Sequence, residues 1–247
     1  MSQISTNMKV EYFDAVVVDI QDESPAVKRF YFKMPAIMEF RFKAGQFVML
    51  DLPIEAKFTN RSYSIASAPS TDNIFELCIV LKEDGVGTPY LWQNIRVGSI
   101  VKCSAPLGKF TLPETIETPL CFIGTGTGIA PLRSMIYDIY NRGVTHQEMY
   151  LVFGNRLVQD VLYRKEFEEL AAQHPEFKFL PVLSRETPNT WQGLNGYVHP
   201  IYMDIIGGQK VPMVFYLCGW SNMVREARDK LRELGYDKTN LKFELYD

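Results

Sequence analysis

Long apolar runs are missing from this chain, and so are paired cysteines, histidine clusters and blocks of one charge. No apolar stretch approaches the roughly 20 residues that a membrane-crossing helix needs. Residues 1–8 have neither the basic start nor the apolar run of a secretion signal. A cytoplasmic location with no membrane contact is therefore expected. The four cysteines, Cys78, Cys103, Cys121 and Cys218, are widely separated and show neither paired-ligand nor plant-type iron–sulfur spacing, so reduced thiols are expected. The three histidines, His146, His174 and His199, have no second metal-ligand type close by in sequence, and no metal is expected. With 26 basic against 29 acidic residues and no basic block, nucleic acid is an unpromising partner. Repeats and low-complexity segments are also absent, and the polar tail 1–8 shows no evident function.

What is present suits a soluble two-domain protein. The 247 residues exceed the usual size of one domain, and 47% apolar content is enough to fill two cores. From Tyr12 to Leu112 the sequence runs in short alternating or β-branched segments: Phe13–Ile20, Val27–Phe32, Gln46–Asp51, Ser62–Ser67, Ile74–Leu81 and Ile100–Cys103. Six such runs punctuated by Gly and Pro predict a six-stranded antiparallel β-barrel over 1–112. After a linker at 113–118 the rhythm becomes strand then helix. Leu120–Gly124, Met149–Gly154, Phe177–Ser184, Val214–Gly219 and Leu241–Tyr246 predict a five-stranded parallel sheet in an α/β domain over 119–247. Ile129–Arg142 and Ser221–Leu234 carry helical apolar spacing, with Ser221 placed to cap the second and Gly143 and Gly235 placed to end them.

Three segments carry chemistry. Thr59–Ser67 sets a cation, a ring and small hydroxyls close together, a combination suited to a flavin: Tyr63 against a flat ring system, Arg61 on a pyrophosphate, Ser64 on a ring nitrogen. An ordinary barrel edge strand uses the same residue types. Gly124-Thr125-Gly126-Thr127-Gly128-Ile129-Ala130-Pro131 follows a strand and enters a helix, the setting of a diphosphate site, although a tight turn with no ligand fits it too. In Asp84–Leu91, Thr88 is placed to cap a helix starting at Pro89, and the glycines before it expose amides; alone, this reads more simply as a turn.

Taken together, Arg61-Ser62-Tyr63-Ser64, Gly85-Val86-Gly87-Thr88, Gly124–Pro131, Cys218-Gly219 and Glu244-Leu245-Tyr246 resemble the ferredoxin–NADP reductase superfamily in order and spacing, over nearly the whole chain. The resemblance implies a flavin-binding barrel joined to a nicotinamide-binding domain, with FAD as cofactor and NADH or NADPH as co-substrate. It implies that Tyr63 stacks on the flavin, Ser64 bonds near N5, and Arg61 holds the pyrophosphate with the Gly85–Thr88 amides. Gly126, Thr127 and Gly128 would face the coenzyme diphosphate, and Cys218 would sit beside the nicotinamide. Ser64, Cys218, Glu244 and Tyr246 form the implied catalytic set. The implied cofactor-binding set also takes in Ser62, Ile79, Val80, Leu81, Pro131, Asn155, Arg156, Ser184, Arg185, Tyr197 and Gly219. Buried packing is the plain alternative for Cys218, and an edge-strand aromatic for Tyr246, which unlike the plant-type tyrosine is followed by Asp247.

Two coenzyme signals conflict. Ser184-Arg185-Glu186 and Tyr197 resemble a 2′-phosphate site, whereas Trp191, Gly193, Gly196, Tyr197, Val198 and His199 resemble NADH-using oxygenase reductases, and Asn195 stands about where the plant type has lysine. The balance tips to NADH. Because the chain has neither the length nor the cysteines for a fused iron–sulfur domain, electrons are expected to leave to a separate acceptor such as ferredoxin, flavodoxin or an oxygenase component. A flavin reductase acting on small acceptors and an idle nucleotide-binding subunit are the alternatives.

Overall fold

A computed structural model describes residues 10–36, 39–54, 57–187 and 189–246; the tail 1–8 and Asp247 lie outside them. The first half holds β1 (Tyr12–Ser24), β2 (Val27–Lys33), β3 (Phe47–Ile54), β4 (Lys57–Ser64), β5 (Ile74–Val80) and β6 (Ile100–Ser104), with helix α1 (Gly87–Asn94) before the last strand. The strands lie in the order β4-β3-β6-β1-β2-β5, and every pairing is antiparallel. A bridge from Ile65 to Leu77 and the Ala66 N–H to Glu76 C=O bond of 2.8 Å join the two outer strands and close the barrel. Phe30, Phe32, Val48, Leu50, Phe75 and Leu77 fill it, all essentially without exposure. Burying side chains of this size stabilises by roughly 1.5–3 kcal/mol each, which alternating strands deliver efficiently.

The sequence places the fourth strand at Ser62–Ser67, but it begins at Lys57 and its ladder ends with the pair Phe47–Ser64. Its first part, Lys57-Phe58-Thr59-Asn60-Arg61, carries no apolar alternation because β3 pairs it on one side only. Beyond Ser64 the chain crosses to β5.

The second half is a parallel sheet of β7 (Leu120–Thr125), β8 (Met149–Asn155), β9 (Phe177–Leu183), β10 (Leu194–Asn195), β11 (Val214–Trp220) and β12 (Leu241–Tyr246), in the order β10-β9-β8-β7-β11-β12. The sheet therefore has six strands and not five. Its extra member, β10, pairs only with Val182 and Leu183 and is too short to show a period. Helices α2 (Ile129–Asn141), α3 (Arg164–Gln173), α4 (Val198–Ile205) and α5 (Ser221–Glu233) accompany it. Trp220, not Ser221, is the residue before the first turn of α5; the Ser221 hydroxyl instead donates to the Tyr246 carbonyl at 3.3 Å, tying the helix start to β12. Among the described residues no helix is long and apolar enough to cross a membrane.

A buried ionic cluster joins the two halves. Glu76 of β5, 2% exposed, accepts from Arg29 Nε at 2.9 Å, from Arg133 Nη1 of α2 at 3.4 Å and from the Tyr163 hydroxyl at 2.6 Å. Glu166 of α3 accepts from Arg133 Nη2 at 2.6 Å and Arg29 Nη1 at 3.3 Å. Tyr163 adopts φ +54°, unusual for a residue with a side chain, and is held there by Glu76 on its hydroxyl and Glu23 on its N–H. On β5, Phe75, Leu77 and Ile79 belong to the barrel core, while Glu76, Cys78 and Val80 alternate with them on the outer face, leading from this cluster toward an open cleft.

Candidate active site

The cleft, about 840 Å³, is walled by both halves, a volume suited to a large organic cofactor. Arg61, Ser62, Tyr63 and Ser64, at the end of β4, line it together. Tyr63 packs on the barrel core, and burial pushes its phenol up to about 12, so it stays neutral. Cys78, Ile79 and Val80 of β5 continue the wall. Leu81 does not line the cleft; its N–H extends the hairpin pairing to Ala26 C=O at 2.8 Å.

Gly85, Val86, Gly87 and Thr88 also face the cleft. Helix α1 starts at Gly87 rather than Pro89, and Thr88 does not cap it. The Thr88 hydroxyl accepts from the Lys82 N–H at 2.8 Å and lies 3.3 Å from the Lys82 carbonyl, closing the loop before the helix. Gly87 is needed for a different reason. A Cβ there would come within 3.2 Å of Arg61 Cγ and Nε, so glycine lets Arg61 lie across the first turn. Arg61 has no ion pair among the described residues; its Nη1 donates to the Asn60 carbonyl at 2.9 Å. A free cation beside the amides of a helix start is a place for an anion.

Thr127, Glu244, Leu245 and Tyr246 supply the opposite wall. Gly126–Gly128 form a single 3₁₀ turn between β7 and α2. Gly126, at φ +53°, has open space where a Cβ would stand, whereas a Cβ on Gly128 would lie 2.4 Å from the Cys218 carbonyl. Gly219, at φ +132°, would in turn meet Thr125 Oγ1 at 2.3 Å, and that oxygen accepts from the Trp220 N–H at 3.0 Å. The ends of β7 and β11 thus press together, with Gly128 and Gly219 as the price of contact. This is where the strand order reverses, the usual ligand position in open parallel sheets. Pro131 is buried in the first turn of α2.

Register along β11 and β12 sets Cys218 opposite Glu244 and Trp220 opposite Tyr246. Ser64 Oγ donates to Glu244 Oε2 at 3.3 Å across 180 residues of sequence. Burial raises the Glu244 carboxyl to about 7, and the Ser64 hydrogen bond opposes that only in part. Cys218 is fully buried; burial first, then the nearby Glu244, hold its thiol well above the ordinary value, so it is no thiolate nucleophile. The Tyr246 hydroxyl is buried beside Cys218 and Ser64 without a hydrogen bond of good geometry.

These residues fit a flavin dinucleotide. Tyr63 and Tyr246 offer flat apolar surfaces, Arg61 and the start of α1 an anion site, and the orphaned Tyr246 hydroxyl lacks a partner that a bound group would supply. Arg61 with Gly85–Thr88 would hold the diphosphate, and Tyr63 and Ser64 the ring. Asp84 and Leu245, from two of the quoted motifs, line the cleft as well, whereas Phe47 and Lys82, which also line it, escape sequence reading. Phe47 becomes visible only through its register opposite Ser64.

A second group lies at the ends of β8 and β9. The Ser184 N–H and hydroxyl donate to Asn155 C=O at 3.1 and 3.3 Å, and the Arg185 N–H donates to Arg156 C=O at 3.0 Å. Both arginine side chains are exposed, and neither has an ion pair among the described residues. Tyr197, 71% exposed, stands just before α4. Glu186 is spent elsewhere, accepting from the Val158 N–H at 2.7 Å and from Thr190, bonds that hold its carboxyl below the usual range.

Residues 14–112 match the family described as oxidoreductase FAD-binding domain, and residues 122–229 the oxidoreductase NAD-binding domain. Ferredoxin–NADP reductase B of Sorangium cellulosum is 35% identical over 97% of this chain and 100% of its own length. The reductase component DmpP of phenol 2-monooxygenase from Pseudomonas sp. is also 35% identical, over 88% of this chain but only 61% of its own. Among solved structures, the ferredoxin NADP+ reductase of Neisseria gonorrhoeae with bound FAD and NADP shares the fold, with a TM-score of 0.81 at 23% identity, over 96% of this chain and 99% of that one. The chain belongs to the ferredoxin–NADP reductase superfamily, as an FAD-dependent oxidoreductase that takes hydride from NAD(P)H and passes the electrons to a separate acceptor.

Proposed function

We propose that NADPH is the preferred reductant and that a one-electron carrier protein, ferredoxin first, is the acceptor. The observation behind the catalytic reading is the Ser64–Glu244 contact, which joins the barrel and the nicotinamide-binding half at one point of the cleft. FAD, when bound, supplies a centre that accepts two electrons at once and releases them singly. Tyr63 fixes one wall of the ring site. Tyr246 occupies the other wall, and because its hydroxyl makes no hydrogen bond of good geometry, little holds it against moving aside to admit the nicotinamide. Burial holds the Glu244 carboxyl near 7, so above that pH its carboxylate stands at the cleft with the Ser64 hydroxyl donating to it. Cys218 packs behind this pair and orients it. A cytoplasmic setting goes with four buried, unpaired thiols.

The coenzyme reading rests on Arg156 and Arg185. Two exposed guanidiniums without carboxylate partners, with Ser184 beside them and Glu186 turned away, suit a 2′-phosphate. Asn195 contributes no charge and bonds its own loop at Gly193 C=O. This weighs against the NADH preference that the Trp191–His199 pattern suggests. Steady-state kinetics is expected to favour NADPH in kcat/KM, and Arg185→Ala to lower that value by ~10–100-fold, the worth of about 1.5–3 kcal/mol for a charged hydrogen bond. Activity with NADH should change less than about twofold, since the lost bond is to the phosphate alone. An enzyme faster with NADH, or indifferent to Arg185→Ala, contradicts the assignment. Turnover with ferredoxin, flavodoxin and an oxygenase component, compared with free FMN, identifies the acceptor; a preference for free FMN makes the protein a flavin reductase.

A further inference from the structure

The 3₁₀ turn that leads into helix α2 borders the cleft, and the first two turns of the helix touch the barrel. Thr127, in that leading turn, is a cleft residue. Six and seven residues on, Arg133 and Ser134 reach across from the helix to the barrel. Arg133 Nη1 donates to the Ala66 carbonyl at 2.9 Å, and Ser134 Oγ donates to the Ser67 carbonyl at 2.7 Å. Ala66 and Ser67 lie two and three residues past Ser64. The same short segment is fastened on its other side to β5, through the Ala66 N–H to Glu76 C=O at 2.8 Å and the Glu76 N–H to Ser67 Oγ at 3.1 Å.

Arg133 has almost no freedom to drift. Its guanidinium bonds Glu166 through Nε at 3.0 Å and Nη2 at 2.6 Å, and lies over the rings of Tyr163 and Tyr137 at 4.4 and 4.9 Å. Carboxylates at its edges and aromatic faces against its plane give a fixed fork, which lysine cannot reproduce. Ser134 is fully buried.

We propose that Arg133 and Ser134 are positioning residues of the reductase reaction: through the Ala66 and Ser67 carbonyls they fix Ser64 of the barrel against Glu244 of the nicotinamide-binding half. The α2 helix is the spacer, so the coenzyme loop at its start and the flavin-side hydroxyl beyond its first turns are held in one register. The inference rests on the reductase reading, but one of its two readouts involves no turnover.

Ser134→Ala removes one hydrogen bond and leaves every charge paired; Arg133→Lys keeps the charge and loses the fork. In FAD-loaded protein labelled with ¹³C at glutamate carboxyls, the Glu244 resonance, assigned by its loss in Glu244→Gln, should titrate near pH 7 in the parent. Its neighbours are Ser64, Cys218 and Tyr246, none of them cationic. In Ser134→Ala the midpoint should fall by about one unit toward the ordinary glutamate value, as water reaches the loosened contact, and further in Arg133→Lys. Anaerobic stopped-flow reduction by NADPH should slow ~10-fold in Ser134→Ala and ~100-fold in Arg133→Lys, with KM within about twofold, because misplacement by an ångström costs rate rather than binding. Failure of the parent to be reduced would overturn the reductase reading itself. Folded, FAD-bound Ser134→Ala with either readout unchanged overturns the positioning role.

Discussion

Glu76→Ala is expected to cost about 3–5 kcal/mol of stability, the usual penalty for removing one member of a buried ion network. Glu76 is an acid on a strand that is otherwise Ile74, Phe75, Leu77, Cys78, Ile79 and Val80, and it is 2% exposed. Three donors converge on it: Arg29, Arg133 and the Tyr163 hydroxyl. Two of the three come from the other half of the chain, so the penalty falls on the joint between domains. After truncation Glu23 and Glu166 still offer oxygens to the guanidiniums, but the Tyr163 hydroxyl keeps only the weak Cys78 thiol as partner, and Tyr163 is already held at a positive φ. Glu76→Gln keeps the shape and an acceptor, and should cost less. Chemical denaturation of the three proteins checks this, and a loss below about 1 kcal/mol in Glu76→Ala would show that the cluster does not hold the halves together.

Glu244→Gln is expected to lower kcat by ~100-fold with a much smaller change in KM, the signature of a group whose charge acts in the transition state after the coenzyme binds. The parent should also show an ionisation near pH 7 in its rate profile that the variant lacks. Rate should rise with pH through that point, because the carboxylate, and not the neutral acid, stabilises the positive charge a nicotinamide ring gains on losing hydride. Stability moves the other way. The folded carboxyl titrates near 7, above about 4.3 for glutamate in an unfolded chain. Stability tied to the neutral form is therefore complete below about pH 4.3, declines between there and 7, and is gone above. Glutamine, neutral throughout, should remove that decline. Thermal melting of both proteins at pH 5 and pH 8 checks it: the variant should gain on the parent as pH rises from the first to the second.

These two residues also mark the boundary of what the sequence reveals. Glu244 enters the sequence reading through the resemblance that Glu244-Leu245-Tyr246 carries, and Arg61–Ser64 through a short local pattern of cation, ring and hydroxyls. Glu76 is not. It stands alone in an apolar run, and of the two arginines that pair with it one, Arg133, is 57 residues away and looks like any polar position on an amphipathic helix. Both halves of the fold follow from period, since two-residue and 3.6-residue repeats dominate them in turn. The failures are short or one-sided elements. Leu194–Asn195 is too brief to repeat, and the polar start of the fourth strand is specified by its partner strand rather than by its own residues.

The glycines teach a related lesson. Gly126 and Gly128 read alike as sites where a backbone must approach a diphosphate. In three dimensions Gly126 meets open space, and Gly128 meets the Cys218 carbonyl. Thr88 similarly looks like a helix cap and is a loop closure. Residue type and spacing announce that something comes close at these positions, but not whether it is ligand or protein.

The central claim is that the cleft between Arg61–Ser64 and Glu244–Tyr246 holds FAD for reduction by a nicotinamide coenzyme. Anaerobic titration of the FAD-loaded protein with NADPH, followed by visible absorption, tests it most directly. The expected result is stoichiometric binding of FAD and complete bleaching of its yellow colour by about one equivalent of NADPH, since one hydride carries both electrons. A protein that binds no FAD, or whose bound FAD stays yellow with NADPH and NADH alike, would contradict the account.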